Sequence, residues 1–208
     1  METVSDALPY ASQNLRRNPF GELDLETRAA LAVAEVEELV ASLGTPRCVI
    51  ELLGGSGRGK TTLLLAIRER FPGAPYVKIR QGERAKFPHS HPLFVDDVHL
   101  LPARQRKRLF GRRVSFVVCT HEDLSVELGR YGLRVTRIRP AERLSAEALE
   151  QIFRRRIEAA RRGPGPVPWV SRDTVESLIR RHGENVRAME LALYDGVQRL
   201  KEVRDVQV

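Results

Sequence analysis

An apolar run, Val49-Ile50-Glu51-Leu52-Leu53, leads directly into Gly54-Gly55-Ser56-Gly57-Arg58-Gly59-Lys60-Thr61. A second apolar run, Leu63-Leu64-Leu65-Ala66-Ile67, follows and stops at Pro72-Gly73. The octet fits the spacing Gly-x-x-x-x-Gly-Lys-Ser/Thr in full. Its glycines let successive backbone N–H groups converge on one point, and a helix starting there adds the positive end of its dipole. The ligand such a loop suits is a chain of phosphates. Gly54, Gly55, Ser56, Gly57, Arg58 and Gly59 would form the cradle, with Lys60, Thr61 and Thr62 opening the helix. Lys60 would neutralise the β- and γ-phosphates of a nucleoside triphosphate, and the Thr61 hydroxyl would ligate Mg²⁺. A strand entering the loop and a helix leaving it also commit the fold to α/β.

The rest of the chain supports that class. Short runs rich in β-branched residues predict strands at Tyr76–Ile79, Leu93–Val95, Val114–Cys119 and Leu133–Ile138, with helices at Ala103–Phe110 and Leu124–Tyr131. Ahead of the loop, apolar residues from Leu25 to Leu43 recur at helical spacing, with Asp24 as a cap and Gly44 as a stop. Alternating strands and helices predict a five-stranded parallel sheet covered on both faces. After Arg139-Pro140 the pattern is helical only. A helix capped by Ser145, then Ser171–Arg181 and Asn185–Val203, predict a three-helix lid. The organisation read from sequence is a tail over 1–17, an α/β core over 18–139 and the lid over 140–208.

The run Leu93-Phe94-Val95 ends in two carboxylates, Asp96 and Asp97, some 35 residues after Lys60. At the carboxyl end of a strand beside the loop, Asp96 would hold Mg²⁺ through its water shell. Asp97 would polarise the water attacking the γ-phosphate. A turn or helix cap is the alternative use of such a pair.

Taken together, the loop, the Leu93–Asp97 strand, a polar residue ending a further strand and a helical lid resemble the AAA+ ATPases. The similarity is greatest to the small bacterial modules of replication initiators, transposition regulators and the ExeA-like group. Leu93-Phe94-Val95-Asp96-Asp97-Val98-His99-Leu100 resembles the initiators, and Asn18-Pro19-Phe20 is similar to an ExeA-like entry strap. The resemblance implies ATP and Mg²⁺ as cofactors. It implies Thr120 as the polar sensor ending its strand, Arg187 as a lid arginine reaching the γ-phosphate, and Arg130 as a finger acting on a neighbouring subunit, with Arg134 as second choice. It also implies a protein partner or a homo-oligomer. Residues Gln81 to Pro92 are few for a crossover with a long helix, a departure from that pattern.

Composition adds partner classes. Lys and Arg number 35 against 27 Asp and Glu, a formal charge of +8, which suits nucleic acid or an anionic membrane surface. Only five of those residues are lysine, so arginine abundance from a GC-rich genome is the competing reading. Between Arg104 and Arg113 six of ten residues are basic: a solvated helix face or a phosphate-backbone contact. Cys48 and Cys119, at opposite ends of parallel strands, are expected ~15 Å apart and reduced. His89, His91 and His99 find no acidic set in sequence to complete a metal site. Trp169 in its proline-rich loop reads as a packing anchor. With no apolar run long enough for a membrane span and no h-region at the N-terminus, a cytoplasmic protein is expected. The function expected is ATP hydrolysis coupled to a conformational change in a partner protein or DNA. A nucleotide switch with little turnover and a small-molecule kinase are the alternatives.

Overall fold

The computed structural model describes residues 9–208. They divide into two compact units: one is Leu25–Arg143, the other joins residues 9–24 to Leu144–Val208.

The larger unit runs α1 (Leu25–Ala30), α2 (Glu37–Leu43), β1 (Cys48–Leu53), α3 (Lys60–Arg68), β2 (Tyr76–Lys78), β3 (Leu93–Asp96), α4 (Ala103–Phe110), β4 (Phe116–Thr120), α5 (Ser125–Gly129) and β5 (Arg134–Ile138). Its five strands form one sheet in the order β2-β3-β4-β1-β5, and every pairing is parallel. The fold is the α/β architecture expected. Strand alternation assigns side chains to two cores. Ile50, Leu52, Phe94, Val117 and Cys119 face the layer built by α1, α2 and α3. Val49, Leu93, Val95, Phe116 and Val118 face Leu109, Phe110, Leu124 and Leu128 of the α4–α5 side. Covering on both faces explains why β1 is buried at all six positions, even at Glu51. The chain leaves β1 for the far edge at β2, returns through β3 and β4, and then places β5 on the other side. Ligands bind at the carboxyl ends of strands where the winding reverses in this way.

One element of this unit differs from expectation, while the short β2–β3 link follows it. The single helix predicted over Leu25–Leu43 is two, because the first closes with Leu31 N–H on Thr27 O and Ala32 N–H on Ala29 O. The second restarts at Val36, whose N–H bonds the Glu37 carboxylate. Breaking the helix lets Ala29, Val36, Leu39 and Leu43 all reach the same core. The connection from β2 to β3, residues 79–92, carries no helix. Just over a dozen residues is the shortest link that allows parallel neighbours.

The smaller unit has three helices, α6 (Ala146–Ala159), α7 (Arg172–His182) and α8 (Val186–Arg199). Ser145, Ser171 and Asn185 cap them, each side chain accepting a backbone N–H of the first turn. The predicted third helix stops at Arg199, since Leu200 is already extended. The N-terminal segment docks on these helices. Arg156, 8% exposed, donates to Pro19 O, Gly21 O and the Glu190 carboxylate. Leu15 and Phe20 enter the apolar core around Phe153. The Asn18-Pro19-Phe20 strap therefore groups with the helices, and the division falls at Arg143. Trp169 is not the packing anchor expected. Its ring is 53% exposed, and it is the backbone that holds, with Val206 N–H on Trp169 O.

Candidate functional site

The phosphate loop hangs between the carboxyl end of β1 and the first turn of α3. Its start is fixed by the sheet, because Gly54 N–H continues the ladder onto Thr120 O at 3.2 Å. Gly57 and Gly59 lie at φ 76° and 78°, a left-handed conformation that side chains with a Cβ disfavour. Gly59 is the N-cap of α3 and has no capping side chain. The first N–H groups of the helix therefore point into the loop without a partner from that residue. Gly55, Ser56 and Arg58 complete the loop, and Thr62 is half-buried on the first turn. A Cβ at Gly55 would meet Arg58 Nε at 3.3 Å, so the glycine leaves room for the Arg58 side chain over the loop.

Lys60 is 6% exposed, and its ammonium donates to Gly54 O and Gly55 O, each at 2.7 Å. The positive charge is thus held inside the loop, at the place where phosphate oxygens would enter. Thr61 Oγ1 donates to Asp96 Oδ2 at 2.9 Å. Tyr76 donates to the same oxygen at 2.9 Å. Asp96 is 1% exposed, and its other oxygen, Oδ1, is buried with no hydrogen-bond partner among the described residues. A bare, buried carboxylate oxygen beside a threonine hydroxyl fits the oxygen donor set of Mg²⁺. The carboxylate also acts on its neighbours. Burial, reinforced by Asp96, raises the Tyr76 phenol and the Cys119 thiol well above their usual pKa values. Both cysteines are free and buried. Cys119 stands beside Leu52 in the register, four residues along β1 from Cys48, about 13 Å at the rise of a strand.

Asp97 does not lie on the strand. It takes the left-handed conformation, φ 58°, at the head of a short turn over Val98–Leu100. Its carboxylate lies 4.0 Å from Lys78 Nζ and close to His99 and His121. Those two rings stack at 4.3 Å. Burial, then Lys60, then His99 lower the His121 pKa from its ordinary value. Sequence reading missed His121. Nothing in the pattern around it marks a site, and only the β3–β4 pairing brings it to Asp97.

Thr120 is fully buried at the end of β4 beside Leu53. Its hydroxyl is closed in a local turn, donating to Glu122 O and accepting from Glu122 N–H. The following loop is tied to β1: Glu51, 0% exposed, accepts from Leu124 N–H at 2.7 Å and from Arg137 at 2.8 Å. Arg130 is exposed at the end of α5, and Arg134 is exposed at the first position of β5 opposite Cys48. Both therefore sit at the amino end of the sheet. Five strand residues separate that end from the loop, about 17 Å. Arg187 is exposed on the first turn of α8, in the smaller unit.

In the basic segment, Arg106 is not free for a ligand. It pairs with Glu127 and donates to Leu101 O. Arg112 is occupied by Phe87 O and Pro88 O. Arg104, Lys107, Arg108 and Arg113 are exposed. No described helix is long and apolar enough to cross a membrane.

No protein-family model matches the sequence, and no curated protein matches it significantly. Solved structures do match. The RuvB Holliday junction branch migration motor of Thermotoga maritima is 16% identical, with TM-score 0.52 over 88% of this chain and 65% of that one. Domain III of the Thermotoga maritima replication initiation protein DnaA is 16% identical, with TM-score 0.51 over 85% of this chain and 90% of that one. Cdc6p from Pyrobaculum aerophilum is 16% identical, with TM-score 0.54 over 84% of this chain and 65% of that one. The chain spans just under two thirds of the RuvB and Cdc6p chains. The likeness to all three, at 16% identity, shows a shared fold.

Proposed function

We propose that this chain is a Mg²⁺-dependent ATPase of the AAA+ type, coupling its nucleotide state to a conformational change in a partner. One observation carries the reading: Thr61 and Asp96, 35 residues apart, meet at 2.9 Å with Asp96 Oδ1 left bare. So close a hydroxyl and carboxylate support a shared cation beside a loop suited to phosphates. Thr61 and Asp96 would hold Mg²⁺, which would neutralise charge on the phosphates.

The chain's own groups account for the remaining steps. Entering phosphate oxygens replace Gly54 O and Gly55 O as acceptors for Lys60, and the loop amides stabilise the charge that develops in transfer. Asp97 orients a water in line with the γ-phosphate and takes its proton. The water oxygen bonds to phosphorus as the bond to the β-phosphate oxygen breaks, giving ADP and phosphate. Thr120 reports on the γ-phosphate by exchanging Glu122 for it. The place of Arg130 at the amino end of the sheet supports a role on a second copy rather than on its own loop. The partner is a protein, a further copy, or nucleic acid held by Arg104, Lys107 and Arg108.

A second reading has its own support. Asp97 faces Lys78, and the Thr120 hydroxyl is committed to its own turn. Both suit a switch that binds ATP and turns over little. Phosphate release from ATP, with and without Mg²⁺ and with and without DNA, tests the proposal against Lys60→Ala. Mg²⁺-dependent release that is lost in Lys60→Ala supports the ATPase. ATP binding without release supports the switch, and no binding removes both.

A further inference from the structure

At the edge of the phosphate site lies a cluster that hydrolysis leaves largely unused. Asp97, His99 and His121 each offer one ligand atom, and the three atoms lie within 4.8 Å of one another. Two strand ends bring them together. Asp97 and His99 belong to the turn after β3, His121 follows β4, and β3 and β4 pair in parallel up to Val95 and Val118. The turn is well braced: Leu100 N–H bonds Asp97 O, and the Arg106 guanidinium donates to His99 O and Leu101 O.

The imidazoles show a second, independent sign. His99 Nδ1 is buried and has no hydrogen-bond partner among the described residues, whereas buried polar nitrogens are normally paired. An imidazole lone pair can be satisfied by a cation as well as by a proton donor. We propose that Asp97, His99 and His121 form a site for a borderline divalent transition-metal ion such as Zn²⁺, separate from the Mg²⁺ position between Thr61 and Asp96.

The donor set decides the class of ion. Two imidazoles and one carboxylate, with a fourth position for water, match Zn²⁺ and its first-row neighbours, while Mg²⁺ prefers oxygen throughout. Tetrahedral bonds of about 2.1 Å need ligand atoms about 3.4 Å apart, so the cluster must tighten. The side chain able to move is His121, which is exposed and stacked on His99 at an interplanar angle of 25°. Unstacking would free its nitrogen to close on the other two. Lys78, the ammonium 4.0 Å from Asp97, is half exposed and can withdraw into water. Occupancy would take Asp97 away from any attacking water, yet the site stands on its three side chains whether or not the chain hydrolyses ATP.

The test uses the full chain without nucleotide or Mg²⁺. Zn²⁺ is titrated in competition with a chromophoric chelator, and Co²⁺ serves as a spectroscopic probe of ligand geometry. One ion per chain should bind at micromolar free metal, and the Co²⁺ spectrum should be that of a four-coordinate site. His121→Ala, a change at an exposed position, should weaken binding at least ~10-fold. His99→Gln should do the same, and His89→Ala should change nothing. Asp96→Asn should leave Zn²⁺ affinity intact. No binding, an affinity indifferent to His121→Ala, or an ion lost with Asp96→Asn would each overturn the site.

Discussion

The Thr61 hydroxyl donates to Asp96 Oδ2 at 2.9 Å, tying the first turn of α3 to the end of β3 across the phosphate loop. Tyr76 adds a second donor to the same oxygen. The Asp96 carboxylate is thereby fixed in rotation, and Oδ1 is the atom left for a cation.

Asp96→Asn keeps the shape but loses the charge that a divalent ion needs. ATP affinity measured by calorimetry should then become insensitive to Mg²⁺, while the Lys60 contribution remains. Lys60→Ala should weaken ATP binding with or without Mg²⁺. Equal Mg²⁺ dependence in wild type and Asp96→Asn would move the metal elsewhere.

How much of this was legible follows from what each residue has to recognise locally. Lys60, Thr61 and the glycines stand out because they form one continuous stretch with strict backbone needs. Asp96 stands out only through its spacing after Lys60, since an apolar strand ending in Asp-Asp is by itself often a turn. His121 does not, since its neighbours come from a pairing between strands that no local pattern encodes. The break between α1 and α2 was hidden too, because Ala32, Val36 and Leu39 satisfy a helical stripe whether or not the helix continues. The grouping of residues 9–24 with the helices depends on Arg156 gathering Pro19 O and Gly21 O, contacts spanning more than a hundred residues.

Glu51 is the charge buried most deeply in β1, and it holds both the Leu124 amide and Arg137. Removing one partner of a buried pair costs about 3 kcal/mol or more. Glu51→Ala should lower denaturant stability by about that amount, measured by urea unfolding. Arg137→Ala should do likewise. A change within ~0.5 kcal/mol would show that the network contributes little.

The exposed basic residues and the structural one can be told apart. If Arg104, Lys107 and Arg108 contact phosphates, DNA affinity should fall by about 0.9 log units per log of salt for each contact. Neutralising the three together should flatten that slope without loss of stability. Arg106→Ala should instead destabilise the fold, since it pairs with Glu127 at 3.0 Å. A slope unchanged by the triple variant would assign the basic face to solvation.

Position along the sheet decides how Arg130 can act. Placed at the amino end of a sheet whose central strand runs about 17 Å to the loop, it would act on the γ-phosphate of another copy. Specific activity should climb with protein concentration. Arg130→Ala and Lys60→Ala, each inactive alone, should recover partial activity when mixed, because some interfaces then pair an intact loop with an intact arginine. Wild-type turnover by Arg130→Ala would shift the role to Arg134.

Hydrolysis of ATP at this loop through Asp97 has one decisive test. Steady-state phosphate release from Mg²⁺-ATP is measured for wild type and Asp97→Asn, with bound ATP quantified in both. ATP occupancy should be equal and release at least ~100-fold slower in the variant, the scale of a lost general base. Release by Asp97→Asn at the wild-type rate would contradict hydrolysis through Asp97.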